Sequence, residues 1–196
     1  ELPRARRNAL ERLEVQPAAH EVVIERGLRI PMRDGTELAA MLWRPKRRGR
    51  YPVLVERGPH RLEERTGPAG EYHAGRGYAV LSVGLRGCSG SGGRFRGPVP
   101  GTPEGDGYDT VEWAALQPWC NGRAGMICGS ISGFTQYQTA VEAPPHLKAL
   151  LVREGVFDGF GRGDTFSLMG LQFVAVAGTE HQLEHCPPAR RARAER

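Results

Sequence analysis

A chain of 196 residues with 39% hydrophobic and 25% charged positions is long enough to bury one sizeable core, and its length favours one domain over two. The longest apolar stretches, Val53 to Val55, Tyr78 to Val83 and Leu168 to Ala177, fall far short of the roughly 20 residues a membrane-spanning helix needs, so no membrane partner is expected. The net charge of +5 gathers at the two ends, in Arg4, Arg6, Arg7 and Arg12 and again in Arg190, Arg191, Arg193 and Arg196. No stretch interleaves basic with aromatic residues, so nucleic acid is not an expected partner either.

With 27 Gly and 15 Pro, many turns are expected, because Gly costs entropy inside an element and Pro removes a backbone donor. Cys88, Cys120, Cys128 and Cys186 show no C-x-x-C spacing and read as free thiols. No charged-then-apolar leader precedes them, so a reducing cytoplasm is the expected setting. A first residue other than Met suggests a piece of a longer protein.

Leu2, Leu10 and Leu13 at loosely helical spacing predict a surface helix within residues 1–15, ended by Pro17. Glu21 to Glu25 with Leu28 to Ile30, a turn at Arg33-Asp34-Gly35, and Glu37 to Trp43 then predict an antiparallel hairpin. Tyr51 to Glu56 predicts a third strand, and Tyr78 to Val83 a fourth, continuously apolar and therefore buried on both faces. The run Arg86 to Gly93 lacks the Gly-Lys-Ser/Thr of a phosphate cradle and reads as a structural loop. Asp109 and Glu112 fit a capping box for a helix from Thr110 to Leu116, closed by Pro118. Asn121-Gly122 reads as a turn into a strand from Ala124 to Cys128. A tight turn, Gly129 to Gly133, leads to a helix from Phe134 to Glu142, and Leu147 to Val152 supplies a further strand. A hairpin followed by alternating strands and helices predicts an α/β fold, a mostly parallel sheet with flanking helices.

In such sheets chemistry collects at the carboxyl ends of the strands. A serine at a sharp strand-to-helix turn projects its hydroxyl above the sheet, and the helix start favours negative charge developing beside it. Ser130 holds that position, with Gly129 and Gly133 as small neighbours. A strict G-x-S-x-G would have glycine where Cys128 and Ser132 stand.

Five segments read together carry a resemblance: Ile30 to Leu38, Tyr51-Pro52-Val53, Gly77 to Val80, Arg86-Gly87 with Ser91 and Gly93, and above all Asp106 to Met126. They resemble the Xaa-Pro dipeptidyl-peptidase and cocaine-esterase-like hydrolases, the CocE/NonD family, over roughly residues 20 to 155 in order. The resemblance implies an α/β-hydrolase domain, here partial, with residues 1–19 a surface segment, 20–158 the hydrolase part and 159–196 the start of a lid or an unrelated Arg-rich tail. It further implies a serine nucleophile at Ser130, an acyl-enzyme, and a small ester, amide or peptide as substrate. The backbone N–H of Ile131 is the first oxyanion donor so implied. The second comes in the family from a tyrosine in an Arg-Thr-Pro-Tyr-like loop, which reads Arg57-Gly58-Pro59-His60 here and leaves His60 to donate. The family's tyrosine after the nucleophile is Ile131, and the aspartate that usually ends the fourth strand is Gly84.

Resemblance places the acid and histidine of a triad downstream of this chain. Locally, Asp158 or Asp164 followed by His181 or His185 has the required order, but too little chain separates them for the two strands still to come. His181 to His185 also fits H-x-x-E-H, a zinc pattern, yet Pro187-Pro188 would end its helix at once, so no metal or other cofactor is expected. The expected function is a serine hydrolase of peptidase or esterase type, represented by its N-terminal part; the rival is a catalytically inactive association module with the same partial fold. A homo-oligomer is compatible with either. Trp113 and Trp119 are expected to pack between helix and sheet, Arg86 to hold the glycine loop, and His146 to be exposed.

Overall fold

In the computed structural model, which describes residues 17–95 and 105–153, the first two apolar runs pair as a hairpin. β1 (Val22–Pro31) and β2 (Glu37–Pro45) are antiparallel, with a bulge between Glu25 and Leu28. The turn closes through Gly35 N–H on Met32 O at 2.9 Å, and Asp34 Oδ1 accepts the Thr36 N–H at 3.0 Å. Such a bond lets a short polar side chain stand in for a backbone turn.

β3 (Tyr51–Gly58), β4 (Ala79–Gly84), β5 (Cys120–Gly129) and β6 (Leu147–Arg153) complete a six-stranded sheet ordered β1-β2-β4-β3-β5-β6. β2 meets β4 antiparallel, whereas the β4/β3, β3/β5 and β5/β6 pairs are parallel. Every residue of β4 is buried, as its unbroken apolar run predicts. β6 ends the sheet, and its Leu151 is 59% exposed.

Helix α1 (Leu62–Ala74) covers one face, where Leu62 and Ala74 pack with Met41, Trp43, Leu54 and Val80. On the other face Val111 and Ala114 of α2 (Asp106–Ala115) join Leu42, Val53, Val55, Leu81 and Met126, with Trp113 and Trp119 packed against the cluster as expected. α3 (Ile131–Val141) follows β5 and packs on α2. Successive residues of β3 and β4 divide between the two clusters, the alternation a two-sided strand requires. No helix among the described residues is long and apolar enough to cross a membrane.

Several sequence expectations need correction. No sequence pattern assigned an element between β3 and β4, and that stretch is helical, with Pro68 inside α1. α2 starts at Asp106 and not Thr110, and its first amides are capped from α3's end, where Glu142 accepts the Gly105 N–H at 2.7 Å and the Tyr108 N–H at 3.1 Å. Asp109 and Glu112 are engaged elsewhere: Asp109 accepts the N–H and guanidinium of Arg33, and Glu112 accepts the His146 N–H at 3.1 Å and lies 2.7 Å from its Nδ1. His146 is therefore half-buried in an acid pair, not exposed. Asn121 and Gly122 fall inside β5, and α3 begins at Ile131, inside the expected Gly129 to Gly133 turn and not at Phe134. The helix expected in residues 1–15, Asp158, Asp164, the zinc pattern at His181 and His185, Cys186 and the Arg-rich end lie outside the described residues.

Candidate active site

β5 and α3 are joined by one residue, Ser130, at φ 58° and ψ −131°. A side chain larger than glycine pays for this conformation with about 1–3 kcal/mol of strain, so the surroundings must hold it. They do so from both sides. The Ser130 N–H donates to Arg153 O of β6 at 3.1 Å, and Ser130 O accepts from Gly133 N–H at 2.9 Å and Phe134 N–H at 3.1 Å. Gly129 lies against the same Arg153 carbonyl, where a Cβ would overlap the oxygen. Cys128, also at positive φ (130°), has its carbonyl bonded by the fully buried Gln136 Nε2 at 3.0 Å. Glycine at 129 is thus a steric necessity, whereas the backbone at 128 accommodates a cysteine.

Ile131 opens α3, and its N–H belongs to the first turn, whose amides have no partner inside a helix. Its side chain is buried with Leu85, Cys88 and Phe95, so the residue anchors the glycine-rich loop onto the elbow. That loop also packs on Gly84, where a Cβ would stand 2.8 Å from Cys88 O and 2.9 Å from Ser91 Oγ. Ser91 Oγ accepts the Ala39 N–H and donates to Gly84 O, each at 2.9 Å. An aspartate at 84 would displace the loop. His60 follows the end of β3, two residues beyond Gly58, and its carbonyl accepts Ser89 Oγ at 2.5 Å. β3 and β5 are parallel neighbours, so His60 and Ser130 both leave the sheet at its carboxyl edge.

A charged network braces this edge. Arg86 donates through Nε to Asp106 Oδ2 at 2.7 Å and through Nη2 to Oδ1 at 2.6 Å, while its Nη1 reaches Asp34 Oδ2 at 2.6 Å and Thr36 Oγ1 at 2.8 Å. Hydrogen bonding to Asp106, then to Asp34, holds the Arg86 guanidinium above its ordinary range against the opposing effect of burial. Asp34 is held well below the usual carboxylate range by Arg86 and by the Thr36 N–H. Arg57 on β3 is buried, with Nη2 3.9 Å from Asp106 Oδ2, and its Nε has no partner among the described residues. Burial pushes its pKa down, and the Asp106 charge opposes that shift. Arg86 therefore holds the glycine loop as expected, through Asp106 of α2 and Asp34 of the hairpin turn.

Glu56 escaped sequence reasoning. It is buried on β3 among the hydroxyls of Thr66, Ser82 and Ser132. Its signal was a lone acidic residue closing the apolar run Val53-Leu54-Val55. Cys88, Cys120 and Cys128 form no disulfide, and no group of metal-ligating side chains assembles among the described residues. A cavity of about 350 Å³ lined by Ala19, His20, Glu21, Lys46 and Arg47 lies by the amino end of β3, opposite the edge that carries Ser130.

A family model for X-Pro dipeptidyl-peptidase (S15 family) matches residues 34–194. The cocaine esterase of Rhodococcus sp. (strain MB1 Bresler) is 39% identical over 127 residues, which cover 62% of this chain and 22% of the esterase. An aminopeptidase from the marine sediment archaeon Thaumarchaeota archaeon superposes with a TM-score of 0.64 at 26% identity, over 78% of this chain and 29% of its own. A CocE/NonD family hydrolase from Staphylococcus aureus gives a TM-score of 0.64 at 25% identity, over 90% of this chain and 37% of its own. The chain thus spans from about a fifth to under two-fifths of the length of these relatives.

Proposed function

The chain belongs to the X-Pro dipeptidyl-peptidase S15 family, and on that premise we propose that it carries the nucleophile of a serine hydrolase, cleaving a small ester, amide or peptide through an acyl-enzyme on Ser130. The observation that carries this reading is the backbone of Ser130, a strained single-residue joint between a parallel strand and a helix. Strain of this kind persists only where the fold over-determines it, and such sites gather where chemistry is done.

In the proposed reaction Ser130 Oγ attacks the acyl carbon and passes its proton to a base outside the described residues. The carbonyl oxygen takes the negative charge, which the Ile131 N–H and a ring N–H of His60 stabilise; removal of one such donor typically costs about 10²–10³ in kcat. Collapse expels the alcohol or amine, and water then releases the acyl group from Ser130. Residues 20–158 form the partial hydrolase domain in this proposal, with 1–19 as a surface segment and 159–196 as the lid start or tail. The absence of a disulfide at Cys88, Cys120 and Cys128 suits a cytoplasmic setting.

A fluorophosphonate probe with intact-mass readout tests the nucleophile on the full chain. One adduct is expected on the wild-type protein and none on Ser130→Ala. Folded wild-type protein that stays unlabelled, or labelling unchanged by Ser130→Ala, would overturn the reading in favour of a non-catalytic association module.

A further inference from the structure

Under the Ser130 turn lies a buried polar cluster with no part in the steps above. Glu56 is 4% exposed near the centre of the sheet, where a carboxyl group is unfavourable unless hydrogen bonds replace its water. Hydroxyls from three elements supply them. Thr66 Oγ1 of α1 donates to Glu56 Oε2, Ser82 Oγ of β4 stands 3.3 Å from the same oxygen and 2.9 Å from Thr66 Oγ1, and Ser132 Oγ of α3 donates to Oε1 at 3.2 Å.

The bond to Ser132 links the two faces of the sheet. Strand alternation puts Glu56 on the side of Leu54, which packs toward α1, whereas α3 packs with α2 on the side of Val53 and Val55. The carboxyl group reaches Ser132 past Gly58, where a Cβ would stand 2.5 Å from Ser132 Oγ and 3.5 Å from Glu56 Oε1. A side chain at 58 would close that passage. Ser132 in turn belongs to the same first turn of α3 as Gly133 and Phe134, whose amides grip Ser130 O.

We propose that Glu56 is a positioning residue for Ser130: through Ser132 Oγ, and across the gap that Gly58 leaves, its carboxyl group clamps the first turn of α3 to β3 and so fixes Ser130 and the Ile131 N–H. The catalytic half of this proposal rests on Ser130 being the nucleophile; the clamp itself does not. Cutting the link frees the turn that holds a strained residue, so local opening rises before the whole sheet gives way.

The test uses the full chain with Ser132→Ala, Glu56→Gln and the double variant, read by amide hydrogen exchange and by fluorophosphonate inactivation resolved into kinact and KI. In Ser132→Ala, exchange at Gly133 and Phe134 rises at least tenfold and kinact falls at least fivefold with KI unchanged. Glu56→Gln acts in the same direction, and the double variant is no worse than Glu56→Gln alone, because both substitutions cut one link. Exchange that stays at the wild-type rate in Ser132→Ala overturns the clamp. Faster exchange with unchanged kinact overturns the positioning role, as do effects that multiply in the double variant. Wild-type protein that never labels defeats the nucleophile assignment instead, and the exchange data still decide the clamp.

Discussion

Replacing Asp106 by Asn removes an anion that pairs with both buried arginines at the carboxyl edge. The Asp106 side chain is 7% exposed, Arg86 10% and Arg57 6%. Asn keeps the volume of Asp106 but cannot accept the two parallel bonds from Arg86, and it leaves Arg57, whose Nε already lacks a partner among the described residues, facing a neutral group. Breaking a buried pair by removing one member typically costs about 3–5 kcal/mol, since the remaining charge stays buried without compensation. Against a total stability of about 5–15 kcal/mol that is a large share. With a urea m-value of about 2 kcal/mol/M, the midpoint should fall by roughly 1.5–2.5 M. The assay is urea unfolding followed by circular dichroism near pH 7. If the cost comes from stranded charge, Arg57→Met introduced into Asp106→Asn should recover part of the loss. A drop of less than about 1 kcal/mol, the range of hydrated surface pairs, would refute the reasoning, as would a double variant less stable than Asp106→Asn alone.

Gly129→Ala drives a methyl into the Arg153 carbonyl that also receives the Ser130 N–H, so a loss of about 1–3 kcal/mol should accompany a more than tenfold fall in fluorophosphonate labelling; a fully labelling, equally stable variant would show that β6 yields freely. Asp34, held below the usual carboxylate range by Arg86, contributes stability that is present above its unfolded pKa and lost as pH falls through its folded value. Asp34→Asn should therefore lower Tm at pH 7, and the gap from wild type should close progressively below about pH 4. A gap that persists at acidic pH would mean that the carboxylate charge is not what Arg86 requires.

The separation between what was legible and what was not follows the range of the interactions. Unbroken apolar runs announced β3 and β4, and alternation with a polar turn announced the β1/β2 hairpin, because burial and pleat act within a few residues. Segment α1 was hidden by Gly67, Pro68 and Gly70, which argue against a helix locally. It forms because Gly70 lets the backbone approach the Trp43 ring, where a Cβ would stand 2.6 Å from Cδ2. The capping pattern at Asp109 and Glu112 misled for the reverse reason: Arg33 lies 76 positions away in the chain and His146 34, and in the folded chain they claimed both carboxylates. Glu56 could be noticed in its apolar run, but not its partners.

The sequence by itself determined the kind of sheet, the strand-to-helix joint at Ser130 and the family, since each depends on residue types at short fixed spacings. Only the tertiary structure decided that Ser130 takes a strained backbone gripped by β6, that Asp106 serves arginines from two strand ends, and that Glu56 reaches Ser132 past Gly58. Each of these needs distant segments brought within hydrogen-bonding distance, and buried charge and steric gaps have no energetic meaning until the chain is packed.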